Sequence, residues 1–246
     1  MLILAADTSG KNGSIALARF DDIGRTEKAF NRTGREEEPQ SSQSRASEIL
    51  DLVPLEGGTF SAQLVPQISA LLRKHNFKKE QIDAFAVASG PGSFTGLRVG
   101  LAAIKALAEV LHKPIAAVSR LEVIARLSKG SGEVMAALDA GRNEVYSGVY
   151  RIEDGRSELL GEDLLSLPEF LAGAGGRGVV TPDAKIAESA RRAGVEAVLI
   201  ALPQADAVAR LGYQKIRAGR TISPEALDAT YIRRSDAEIV KSGSSR

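Results

Sequence analysis

Cysteine is absent from all 246 residues, which removes disulfides, thiolate nucleophiles and cysteine-based zinc sites together. Only two histidines are present, His75 and His112, far apart and in no metal-binding or metalloprotease spacing, so no metal ligands are assigned. Each instead falls at the end of a predicted helix, where an imidazole suits the helix dipole. Neither sign of charge dominates: 32 Lys and Arg stand against 31 Asp and Glu, so no overall basic field draws the chain to nucleic acid. Long apolar runs are missing as well. Met1 to Ala6 is apolar but far too short for a signal peptide or a membrane span, and no other run approaches about 18 residues. A cytoplasmic protein with no membrane contact is expected. The remainder, 43% hydrophobic and 26% charged, has an ordinary globular composition, with enough chain for one large domain or two of about 100 to 150 residues.

The most distinctive stretch runs from Ala88 to Gly100. It follows the apolar run Asp83 to Val87, which reads as a buried strand, and leads into an Ala/Leu-rich run that reads as a helix from Leu97 to about Leu111. Gly90, Gly92 and Gly96 permit positive φ or a close backbone approach, and Ser93 and Thr95 offer hydroxyls where amide donors lack intrahelical partners. Such a corner suits an anion, a partner or simply a tight turn. It ends in neither the Gly-Lys-Ser/Thr of a P-loop nor the glycine spacing of a dinucleotide site. In the following helix the polar residues Arg98, Lys105, Glu109 and His112 form one narrow stripe, and nearly everything else is apolar or small. A helix of that composition is expected to be buried on more than one side, one facing its own sheet and another facing a second protein.

Elsewhere the chain alternates strands and helices. Leu2 to Asp7 and Ser14 to Phe20 read as two strands joined by the turn Asp7-Thr8-Ser9-Gly10, which either faces phosphates or caps itself. Residues 21 to 47 form a polar excursion before a third strand at Glu48 to Leu55, followed by a helix through Leu64, Ile68 and Leu72. Strands follow at Ile115 to Val118, at Val134 to Asp139 and at Glu144 to Tyr150, with a helix from Leu121 to Leu127 after the first. From Leu167 onward come a short helix near Pro168, strands at Gly178 and Ala197, and helices from Ala184 and Gln204. Each half opens on strands with an Asp at a turn (Asp7, Asp139), the pattern of an α/β protein with an internal duplication. The expected division is 1–113, with the glycine loop and its helix; 114–203; a helix at about 204–218 that returns to the first half; and an extension and tail over 219–246.

Four segments, in order, carry a resemblance: Ile3 to Ser9, Gly90 to Gly100, Leu138 to Tyr146, and Tyr231-Ile232-Arg233. Together they resemble the TsaB family, the non-catalytic relatives of TsaD/glycoprotease-like proteins that work in making threonylcarbamoyladenosine in tRNA. The resemblance implies two RNase H-like subdomains of the actin, Hsp70 and sugar-kinase (ASKHA) superfamily. It implies a partner and dimerisation subunit that supports a TsaD-like catalytic subunit and recruits a TsaE-like ATPase. The complex transfers a threonylcarbamoyl group to N6 of the adenosine beside the anticodon. It further implies a homodimer when alone, tRNA met only through the complex, no catalytic residue and no intrinsic cofactor, with ATP/ADP and magnesium confined to the complex. The implied interface comprises Gly90, Pro91, Gly92, Ser93, Phe94, Thr95, Gly96, Leu97, Arg98, Val99 and Gly100, with Ala103, Ala106 and Leu107 on the helix. Two departures from the family pattern stand out: the excursion at 21–47 is longer than usual, and the segment around Phe60 lacks a histidine that many relatives carry.

The alternative is a stand-alone nucleotide-dependent phosphotransferase of the same superfamily, with Asp7, Thr8, Ser9 and Asp139 at the phosphates and either aspartate positioning magnesium. Against it stands the lack of an adenine-binding glycine motif, Gly173-Ala174-Gly175-Gly176 being the nearest. A metallopeptidase needs a metal site that two unpaired histidines do not supply.

Overall fold

The computed structural model describes residues 1–21, 47–128, 130–230 and 232. Most of the excursion at 21–47, the residues Tyr231 and Arg233, and the tail beyond 232 lie outside the described residues.

Two five-stranded sheets carry the chain. In the first, β1 (Leu2–Asp7) pairs antiparallel with β2 (Gly13–Phe20) and parallel with β4 (Ala84–Gly90). At the edges lie β3 (Ser47–Leu55), antiparallel to β2, and β5 (Ile115–Ser119), parallel to β4. The order is β3-β2-β1-β4-β5. Every residue of β1 and β4 is buried, as an unbroken apolar run demands of a central strand covered on both faces. One face takes α1 (Phe60–Lys74) and α2 (Phe94–Leu111), and the other takes α6 (Ala205–Arg217). That second face is lined by Ala5, Ala16, Ala84, Ala86 and Ala88, whose small side chains let α6 lie close. A methyl on Gly212 of α6 would meet the Ala86 Cβ at 2.4 Å.

The second sheet repeats the first. Here β6 (Gly132–Gly141) pairs antiparallel with β7 (Glu144–Glu153), which pairs antiparallel with β8 (Arg156–Ser166). On the other side of β6 lie β9 (Gly178–Thr181) and β10 (Ala197–Leu199), both parallel. Written from β8, the order β8-β7-β6-β9-β10 matches that of the first sheet strand for strand. This is the RNase H-like arrangement present twice, an ASKHA-type α/β fold with two lobes. The helices α4 (Leu167–Gly173) and α5 (Ala184–Arg192) cover one face of the second sheet, and α3 (Arg120–Arg126) covers the other.

The structure departs from the sequence reading at one boundary, adds one strand and locates a third segment. The break between lobes does not fall at 113/114, because β5 completes the first sheet and the chain leaves that lobe only at α3. The β8 strand was not expected: it lies at a sheet edge with Leu159 and Leu160 exposed, so its sequence lacks the alternation that marks a half-buried strand. The segment Gly173 to Gly176 ends α4 and turns toward β9, with Gly175 and Gly176 at positive φ, as a helix terminus requires. Among the described residues no helix is long and apolar enough to cross a membrane.

Candidate docking surface

The corner between β4 and α2 is built against the turn after β1. Ser93 is the N-cap of α2 and its hydroxyl accepts from Gly96 N at 3.3 Å, so the helix begins at Phe94, one turn earlier than the apolar pattern indicates. Ser93 N donates to the Ser9 carbonyl at 2.7 Å, and the Thr8 hydroxyl donates to the Gly96 carbonyl at 2.7 Å. The glycines follow from this approach. A Cβ on Gly92 would lie 2.4 Å from Ser9 O, on Gly96 2.0 Å from Thr8 O, and on Gly100 2.3 Å from Thr8 Oγ1. Gly90, at φ +129°, faces the Thr230 carbonyl, and Thr230 N donates to Ser89 O at 2.7 Å. The glycine loop therefore closes on the chain's own backbone rather than cradling an anion.

The implied interface splits in two. Gly90, Pro91, Gly96, Leu97 and Gly100 are buried in the first lobe. Ser93, Phe94, Thr95, Arg98 and Ala106 are exposed, while Gly92, Val99, Ala103 and Leu107 are half-buried. The outward row runs at intervals of four, Phe94, Arg98, Ala102, Ala106 and Val110, with Phe94 37% and Val110 70% exposed. Ala102 and Val110 were missing from the implied set, although the spacing of four from Phe94 points to both. The Arg98 guanidinium stacks 3.7 Å from the centre of the Phe94 ring, so its charge covers the apolar end of the row. The polar stripe is less uniform than the wheel implies: Lys105 is half-buried and reaches the Glu225 carbonyl at 3.4 Å.

The two acidic turns differ. Asp7, Thr8 and Ser9 are 7%, 2% and 1% exposed. Asp7 accepts from Ser9 N at 2.9 Å and from the Ser9 hydroxyl, and it forms an ion pair with Arg120 Nε at 3.6 Å. Arg120 also donates to the Pro91 carbonyl at 3.2 Å, tying the β1 turn to the glycine loop. Asp139 is exposed; it accepts from Gly141 N at 2.9 Å, and its own N–H donates to Asp183 at 2.9 Å. Beside it opens a cavity of about 230 Å³, lined among others by Asn143, Leu167, Asp183 and Lys185. The carboxylates that the phosphotransferase reading sets at the two phosphate regions thus stand in unlike settings, Asp7 buried and paired, Asp139 exposed.

A family model described as "TsaD: tRNA N6-adenosine threonylcarbamoyltransferase" matches residues 56–223. The Bacillus subtilis "tRNA threonylcarbamoyladenosine biosynthesis protein TsaB" is 30% identical over 164 residues, 66% of this chain and 61% of that protein. The Escherichia coli protein of the same name is 28% identical over 187 residues, 70% of this chain and 79% of that one. The chain belongs to the TsaB family. Its match spans less than two thirds of the B. subtilis relative's length and 39% of the Haemophilus influenzae one. A crystal structure described as an uncharacterized protein with similarity to peptidase YEAZ from Pseudomonas aeruginosa superposes with a TM-score of 0.67 at 26% identity. That superposition covers 94% of this TsaB-family chain and 99% of the other, so the two proteins share the fold across both lobes.

Proposed function

We propose that this chain is a non-catalytic subunit in the biosynthesis of threonylcarbamoyladenosine in tRNA. In this reading it supports a TsaD-like transferase and, with it, recruits a TsaE-like ATPase. The observation that carries the proposal is the outward row of α2, where Phe94, Ala102, Ala106 and Val110 offer apolar and small side chains to water on a helix whose other side is core. Such a surface gains by being covered, and small residues let a second helix approach closely. Alone, the chain covers it with a second copy; in the complex, the TsaD-like partner takes that place. Nucleic acid is then met through the complex, in keeping with a net charge of +1.

The stand-alone phosphotransferase requires both acidic turns at the phosphates, and Asp7 is enclosed by Ser9 and Arg120. Two experiments separate the readings. Nucleoside analysis of tRNA from cells depleted of this protein is expected to show loss of threonylcarbamoyladenosine, restored by the wild-type chain and not by Ala106→Glu. Unchanged modification after depletion contradicts the proposal. Robust ATP turnover by the purified chain, abolished by Asp139→Ala, supports the phosphotransferase instead.

A further inference from the structure

The helix α3 is shared between the lobes. Val123 lies in the core of the first lobe against α6, while Leu121, Ile124 and Ala125 lie in the core of the second. Polar groups of its first turn divide in the same way. Ser119, the last residue of β5 and the N-cap of α3, donates to Glu162 of β8 at 2.8 Å and lies 3.3 Å from the Tyr150 hydroxyl of β7. Tyr150 donates to the same Glu162 oxygen. Glu122 is 6% exposed and uses its two oxygens on different lobes, Oε2 on Lys215 of α6 at 2.7 Å and Oε1 on the Ser157 hydroxyl of β8 at 2.8 Å. Arg120, between them, reaches back to Asp7 and Pro91. The setting is dry. Tyr150 is 2% exposed, and burial followed by the Glu162 carboxylate pushes its phenol up, which keeps it a neutral donor.

An apolar helix wedged between two cores tolerates small sliding and rotation, whereas hydrogen bonds have narrow angular limits. A buried pair such as Glu122 and Lys215 adds little net stability over apolar packing, so its effect is felt in which arrangement is allowed. We infer that the first turn of α3 is a junction that locks the two lobes at one angle, with Ser119 and Glu122 as positioning residues. Two-lobed proteins that close on ligands rotate about such a connection. Here rotation would have to break the Ser119–Glu162 and Glu122–Ser157 bonds together, beside the buried Tyr150 and Glu122. The α2 row and the second lobe are then presented as one rigid body.

Because the chain has no cysteine, Arg73→Cys on α1 and Arg192→Cys on α5, both exposed, place one spin label on each lobe of the full chain. Pulsed dipolar spectroscopy then reads the distance between lobes. One narrow distribution is expected with all junction residues intact. Ser119→Gly/Ser157→Ala removes both inter-lobe hydroxyl bonds while a glycine N-cap costs the helix far less than an alanine would. This variant, folded by circular dichroism, is expected to broaden the distribution and add a second population, as is Glu122→Gln. A broad distribution with the junction intact, or a folded variant as narrow as the parent, overturns the inference. No partner enters the measurement, so its outcome is independent of the docking proposal.

Discussion

At Gly96 a methyl group would sit 2.0 Å from the Thr8 carbonyl oxygen, a backbone atom that cannot rotate away. Gly96→Ala is therefore expected to cost about 1–3 kcal/mol in urea denaturation, as overpacking does. At Gly100 the obstacle is the Thr8 hydroxyl, a side-chain atom, and Gly100→Ala should cost clearly less. A second prediction concerns Asp7. Removing its carboxylate leaves Arg120 buried without its ion pair, so Asp7→Ala should lose about 3–5 kcal/mol, and Asp7→Ala/Arg120→Met should recover part of it. If Asp7→Ala leaves stability unchanged, the turn is not the structural seat described here. These residues were conspicuous in the sequence, but their partners were not. Glycines and an acidic turn look alike whether they meet a phosphate or each other, and only the parallel pairing of β1 with β4 brings Thr8 against Gly96.

For the elements, legibility followed burial. The central strands and the helical periods of α1, α2 and α6 were readable because their apolar residues repeat at the spacing of one or two buried faces. The start of α2 was not, since its cap depends on Ser93 meeting Gly96 N rather than on hydropathy. Nor could the wheel decide which alanine faces outward. Ala106 is exposed, while Ala103 is half-buried against the core of α1 and α2. Ala106→Glu is therefore expected to stay folded by circular dichroism and to weaken association by about 3 kcal/mol, an unpaired charge placed in an apolar contact. Ala103→Glu should lower the unfolding midpoint as well. Equal loss of fold in both variants would show that the row is core rather than surface.

Across the whole molecule, the duplication was visible as two acidic hairpins, but the position of the lobe boundary was not, because β5 and β10 are short strands whose sheet membership depends on long-range pairing. The return of α6 gives the first lobe part of its core from distant sequence, and α3 puts residues into the cores of both lobes. Thermal unfolding should accordingly be a single transition, with calorimetric and van't Hoff enthalpies equal; two resolved transitions would mean that the lobes unfold independently. The docking surface is the central claim, and sedimentation velocity tests it most directly. The wild-type chain, Ala106→Glu, and Lys185→Glu on the cavity side of the second lobe are run alone and with the TsaD-like protein from the same organism. The account predicts dimers alone and a one-to-one complex in the mixture for wild type and Lys185→Glu, with both species lost for Ala106→Glu. A wild-type monomer that binds no TsaD-like partner, or an Ala106→Glu chain that associates as the wild type does, would contradict it.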